Sequence, residues 1–164
     1  MKKILLTSLV LMVIGTLAHA SGKKHVHGEG RLNAAIDKGD LTLRLELPLD
    51  SAVGFERKPR SEREKTALET AEKTLREAGT LWIINSTAGC QLLTAKVGMP
   101  KFDGGHADIE ATYVYKCSNF ADLKTVETSL FKSFKRLYRL DVQQVGPKNQ
   151  GATRLTPKNP VLRW

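Results

Sequence analysis

Three histidines beyond the first twenty residues, His25, His27 and His106, are the side chains here best suited to holding a metal ion. His25 and His27 stand two apart in His25-Val26-His27-Gly28-Glu29. In an extended segment both imidazoles and the Glu29 carboxylate project from one face, because side chains alternate along a strand. His106, Asp108 and Glu110 repeat that alternation further along. If the two segments are neighbouring strands, two or three imidazoles meet a carboxylate. Zinc takes such a set, usually tetrahedrally. Copper and nickel accept it as well, and affinity alone favours copper. The plainer alternative is that His25 and His27 are only the solvated start of a mature chain. Zinc ligation requires neutral imidazoles, so binding at such a site should weaken as pH falls below about 6.5.

Other chemistries find little support. Cys90 and Cys117 are the only cysteines, with no C-x-x-C pair. An even pair in an exported protein reads as a disulfide, contributing roughly 3–4 kcal/mol in the chain-entropy model. No G-x-S-x-G elbow is present, and Asp103-Gly104-Gly105-His106-Ala107-Asp108 lacks the lysine and following helix of a phosphate loop. Nucleic-acid binding has only net charge behind it, without interleaved aromatics. No catalytic or cofactor-binding residue is assigned, and the chain is read as non-enzymatic.

The compartment follows from the N-terminus. Lys2 and Lys3 precede an apolar run from Ile4 to Leu17, and Ala18-His19-Ala20 is a small-x-small cleavage signal. Residues 1–20 therefore read as a secretory signal peptide, too short for a membrane anchor. Ser21 is the expected mature N-terminus, and no cysteine stands there to carry lipid. The expected location is the bacterial periplasm, without membrane insertion. Cleavage shortens the chain from 164 to 144 residues, one domain (21–164) of ordinary size. It removes two lysines and no acid, so the net charge falls from +9 to +7. The charges are spread along the chain, which favours solubility, although a basic face could also bind an anionic partner.

The elements around these residues form an α+β domain, a mostly antiparallel sheet with two helices. Leu32, Ala34 and Ile36 alternate inward, as do Leu41, Leu43, Leu45 and Leu47, around a turn at Asp37-Lys38-Gly39-Asp40. Residues 49–60 read as a loop. Residues 61–79 read as a helix, with Ser61 and Glu64 as a capping box, Leu68, Ala71, Leu75 and Ala78 as its stripe, and Gly79 as its C-terminal glycine. Short strands follow at 80–84 and 90–97. Residues 106–117 give the clearest strand, with Ile109, Ala111, Tyr113, Tyr115 and Cys117 on one face. A second helix is expected over 119–134, from Leu123, Val126, Leu130 and Phe134. A strand with Tyr138, Leu140 and Val142 inward, a return over 152–156 and a last edge at Trp164 complete the chain.

Beyond these patterns, the chain resembles the ZrgA-like zinc-regulated periplasmic protein family of Gram-negative bacteria. The similarity runs from about His25 to Trp164, in the stretches HVHGEGRLNAAID, LRLELPLDSAVGFE, PRSE, GCQLL, HADIEATYVYKC and the segment from Ser129 to the C-terminus. The resemblance implies a soluble periplasmic zinc-binding protein that assists zinc acquisition or homeostasis. The zinc ion and components of a zinc uptake system are its implied partners. It carries over His25, His27 and His106 as ligands, with Asp108 and Glu110 beside them. Members often carry a histidine-rich tract before the HAD strand; here that place is Met99-Pro100-Lys101-Phe102-Asp103-Gly104-Gly105, without histidine. Where members often have a histidine after GFE, this chain has Arg57. The implied zinc capacity is therefore low. The alternative function is a non-metal envelope binding or scaffold protein that uses its basic surface.

Overall fold

A computed structural model describes residues 26–102, 107–147 and 149–164. The first hairpin forms as its alternation requires: β1 (Glu29–Asp37) pairs antiparallel with β2 (Asp40–Pro48). Lys38 and Gly39 between them take φ of 48° and 86°, the left-handed pair a tight two-residue hairpin turn needs. A six-stranded sheet grows from this hairpin in the order β4-β5-β2-β1-β7-β8. Its other strands are β4 (Cys90–Gly98), β5 (Asp108–Cys117), β7 (Arg139–Val145) and β8 (Gln150–Leu155). All neighbours are antiparallel except β1 and β7, which run parallel. Cys90 and Cys117 face each other across β4 and β5 and are joined by a disulfide.

One face of this sheet is the core. Leu32, Leu41, Leu43, Leu47, Ile109, Tyr113 and Leu140 are essentially inaccessible. Against it lie α2 (Glu62–Arg76) and a three-stranded sheet in the order β3-β6-β9, made of β3 (Trp82–Ile84), β6 (Thr125–Thr128) and β9 (Val161–Arg163). Trp82 of β3 meets Tyr113 of β5 edge to face, with ring centres 5.7 Å apart, the arrangement favoured by the ring quadrupoles.

The α+β class holds, but the helices differ from the two expected. Besides α2, there are α1 (Leu49–Val53), in a stretch read as loop, α3 (Ala78–Leu81) and α4 (Leu130–Ser133). The expected helix over 119–134 is a 3-10 turn at Phe120–Asp122, then β6, then α4. The β-branched run Thr125-Val126 fits a pleated surface, and β6 pairs on both sides, with β3 and β9. Leu123, Val126, Leu130 and Phe134 are all buried regardless, so their spacing did not distinguish the two conformations.

Helix α2 starts as read: the Ser61 side chain accepts a hydrogen bond from the Glu64 backbone N–H at 3.2 Å. It stops at Arg76, three residues early, because Glu77 leaves helical geometry (φ −81°, ψ 60°). The chain then turns so that Leu81 and Trp82 enter the core. Tyrosines of β5 satisfy carbonyls at this end instead of a glycine cap. Tyr113 Oη donates to the Leu75 carbonyl at 2.7 Å, and Tyr115 Oη to that of Ala78 at 3.4 Å. Burial pushes both phenols up, that of Tyr115 to about 12. Tyr138, expected inward, is 52% exposed, because it precedes the first paired residue of β7. Among the described residues, no helix is long and apolar enough to cross a membrane.

Candidate metal centre

At one end of the large sheet, three chain segments converge. Strand β2 ends at Pro48 and passes directly into α1, which carries Asp50 into the interior at 6% exposure. After α1 the chain reverses at Gly54 (φ 90°), so that Glu56 returns past Asp50. The third segment is the entry to β1. Residues Val26 to Glu29 form a turn, closed by the Glu29 N–H on the Val26 carbonyl at 3.1 Å, with Gly28 at φ 79°. His27 therefore sits on a turn rather than on an extended strand.

The turn aims the His27 imidazole at both acids. Its Nδ1 lies 2.7 Å from Asp50 Oδ2 and 3.8 Å from Glu56 Oε1. One ligand atom from each of the three residues falls within 4.8 Å of the others. Two tetrahedral zinc ligands at about 2.0–2.2 Å from the ion stand roughly 3.3–3.5 Å apart. One of the two contacts is shorter than that spacing and one longer, so small side-chain movements would seat an ion. Asp50 is fixed from behind: the Ser51 hydroxyl donates to its Oδ1 at 3.2 Å and accepts from the Gly28 N–H at 3.0 Å. Such an outer hydrogen bond orients a ligating carboxylate and leaves its other oxygen for the ion. The set is one nitrogen and two carboxylates without sulfur, which suits a borderline or hard divalent cation rather than Cu(I).

The loop bearing Glu56 is stapled to α2. Arg57 donates two hydrogen bonds to the Glu64 carboxylate, at 2.9 and 2.7 Å, and the Arg60 N–H adds a third at 2.6 Å. The Arg57 hydrogen bonds, then that from Arg60, pull the Glu64 carboxyl down to about 2. The Arg57 guanidinium also lies over the Phe55 ring at 5.4 Å. Glu56 is thus flanked on both sides by residues that hold their place.

Of the five ligands named from the sequence, His27 is in the cluster. His25 and His106 lie outside the described residues. Asp108 and Glu110 are on the outer face of β5 as expected, but β2 separates that strand from β1. Glu110 stands opposite Glu46, and Asp108 beside Pro48. Neither belongs to the group around His27. Glu29, expected beside the histidines, instead pairs with Arg139. Asp50 and Glu56 were missed. The available signal for Asp50 was its place directly after the apolar run Leu47-Pro48-Leu49. A carboxylate carried inside by such a run needs partners.

Residues 24–164, a span that includes every described residue, match the family model of the ZrgA family zinc uptake protein. No curated protein matches the chain.

Proposed function

The chain belongs to the ZrgA family of zinc uptake proteins, and from that premise we propose that it is a non-enzymatic periplasmic protein that binds zinc through His27, Asp50 and Glu56 and assists its acquisition. The observation that carries this reading is the convergence of the His27 Nδ1 on two carboxylates, one of them buried. A buried carboxylate is costly unless matched by positive charge. Protonated His27 can match it, and so can a divalent cation. Two carboxylates would neutralise a zinc ion, with the imidazole supplying the third donor.

His25 and His106 remain proposed additional ligands on the strength of the sequence. The neighbour of His106 supports its inclusion: the Ala107 carbonyl accepts a hydrogen bond from the Leu49 N–H at 2.8 Å, next to Asp50. A low zinc capacity is supported by the one such cluster among the described residues and by the lack of a histidine-rich tract before β5. Ligands of two carboxylates and a largely exposed imidazole give an exchangeable site, which suits handling an ion in transit. Zinc and components of a zinc uptake system are the proposed partners. The location rests on residues 1–20 as a cleaved signal peptide.

The test is calorimetry on metal-stripped, tag-free protein. Wild type is expected to take up one zinc ion, and His27→Ala to bind at least about tenfold more weakly, the loss of one donor worth some 1.4 kcal/mol. Wild type that takes up no zinc at micromolar concentration overturns the reading.

A further inference from the structure

A tyrosine ring lying exposed on a glycine turn is an unusual use of a large side chain. Tyr138 is 52% exposed, yet it is tightly placed. A Cβ built on Gly28 would fall 2.0 Å from its ring, so the ring rests on that glycine. Its hydroxyl donates to the His27 carbonyl at 2.8 Å. Its own N–H donates to the Gly28 carbonyl at 2.9 Å, and that of Arg139 adds a second bond at 3.3 Å. Two residues earlier, the Arg136 Nε donates to the Asp50 carbonyl at 2.9 Å. One short segment, residues 136–139, therefore grips the backbone of two of the three ligands.

From this geometry we infer that Tyr138 is a positioning residue: it fixes the turn at His27 so that Nδ1, rather than Nε2, faces Asp50 and serves as the donor to the metal. The inference rests on the proposed zinc site for its function, but not for its structural part. An imidazole that is 71% exposed has little packing to orient it, and a side chain without packing samples several rotamers. Orientation must then come from its backbone. Gly28 at φ 79° is required twice, because the left-handed conformation disfavours a side chain and the tyrosine ring occupies the space a Cβ would take. With Nδ1–H donating to Asp50 Oδ2, the metal-free state holds the imidazole in one tautomer. Zinc bound at Nδ1 would displace that proton to solvent, and Nε2, bare in this tautomer, would take one up from solvent, so the imidazole stays neutral with no net proton released.

The experiment compares wild type, Tyr138→Phe and Gly28→Ala by long-range nitrogen–proton NMR of the imidazoles, metal-free and zinc-loaded, beside zinc calorimetry and thermal unfolding. Phenylalanine keeps the ring and removes only the hydroxyl, so Tyr138→Phe should fold as wild type does. The expected result in metal-free wild type above the imidazole titration is a His27 proton on Nδ1, and in Tyr138→Phe a shift toward the mixture of a free imidazole. Zinc should bind Nδ1 in wild type, and about three- to tenfold more weakly in Tyr138→Phe, as expected for one lost hydrogen bond. Gly28→Ala should show the same change more strongly. If wild type binds no zinc but the metal-free tautomer shift appears, the zinc reading fails and the positioning role of Tyr138 stands. If the His27 spectra of wild type and Tyr138→Phe coincide, the positioning role is overturned, whatever the zinc affinity.

Discussion

The centre of the large sheet and the corner that holds His27 are built by opposite means. In the centre, β1, β2 and β5 bury every second side chain, and residues such as Leu43 and Ile109 are sealed on all sides. Each strand needs only its own period to do this. At the corner, no local period operates. His27, Asp50 and Glu56 come from a turn, a five-residue helix and the loop beyond it, and residues 136–139 clamp two of them. The centre is secured by area removed from water, and the corner by a few directed hydrogen bonds. Changes in the frame should therefore cost stability and spare the metal, and changes at the corner the reverse.

The largest effect should come from the frame. Replacing Cys90 and Cys117 together by alanine opens a loop spanning 27 positions and should lower the unfolding free energy by about 3–4 kcal/mol. Urea titration measures it, and zinc affinity of the folded variant should stay at the wild-type value. A double variant as stable as wild type would show that the crosslink does not brace this edge.

A smaller effect should appear at high pH, where the α2 end depends on two neutral phenols. The folded protein raises the Tyr115 phenol from an ordinary 10.0 to about 12, through burial, and moves Tyr113 the same way. A raised phenol keeps its full contribution below pH 10 and loses it as pH climbs through about 12. Alkaline unfolding should begin in that window, and Tyr113→Phe should shift it upward while costing about 1 kcal/mol at neutral pH.

Smallest is the staple at Glu64, which lies at the solvent edge. Its carboxyl is lowered to about 2 from 4.5, so its contribution is present above pH 4.5 and fades as pH falls toward 2. Glu64→Gln should flatten the acid limb of the stability curve slightly. The same variant should loosen the Glu56 loop, seen as faster hydrogen exchange at residues 54–60. Unchanged exchange would mean that the loop keeps its place without Arg57 and Glu64.

The sequence was most legible where the centre's logic rules. The hairpin, its turn, the inward faces of β2 and β5, the start of α2 and the Cys90–Cys117 pair all follow from alternation, capping and cysteine arithmetic. Legibility fell where two conformations bury the same residues: Val126 and Leu130 suit one long helix or a strand followed by a short helix, and strand pairing decided between them. It fell further at the corner. His27 stood out in the sequence because histidine is a rare and specific ligand type. Its acids were sought on the next histidine-bearing strand, yet β2 comes between. Asp50 and Glu56 lie in a stretch that reads as loop and acquire meaning only when α1 and Gly54 fold them back. No one-dimensional period encodes a meeting of three separate segments.

Two sets of acids compete for the proposed zinc ion: Asp50 with Glu56 at the corner, and Asp108 with Glu110 on the outer face of β5. Zinc affinity of metal-stripped, tag-free Asp50→Asn and Glu56→Gln, set against Glu110→Gln on the outer sheet face, tests this most directly. Asp50→Asn and Glu56→Gln should each weaken binding at least about tenfold with their unfolding midpoints little changed, and Glu110→Gln should bind as wild type does. Loss of zinc in Glu110→Gln with full affinity in the other two would contradict the account and return the site to the outer face of β5.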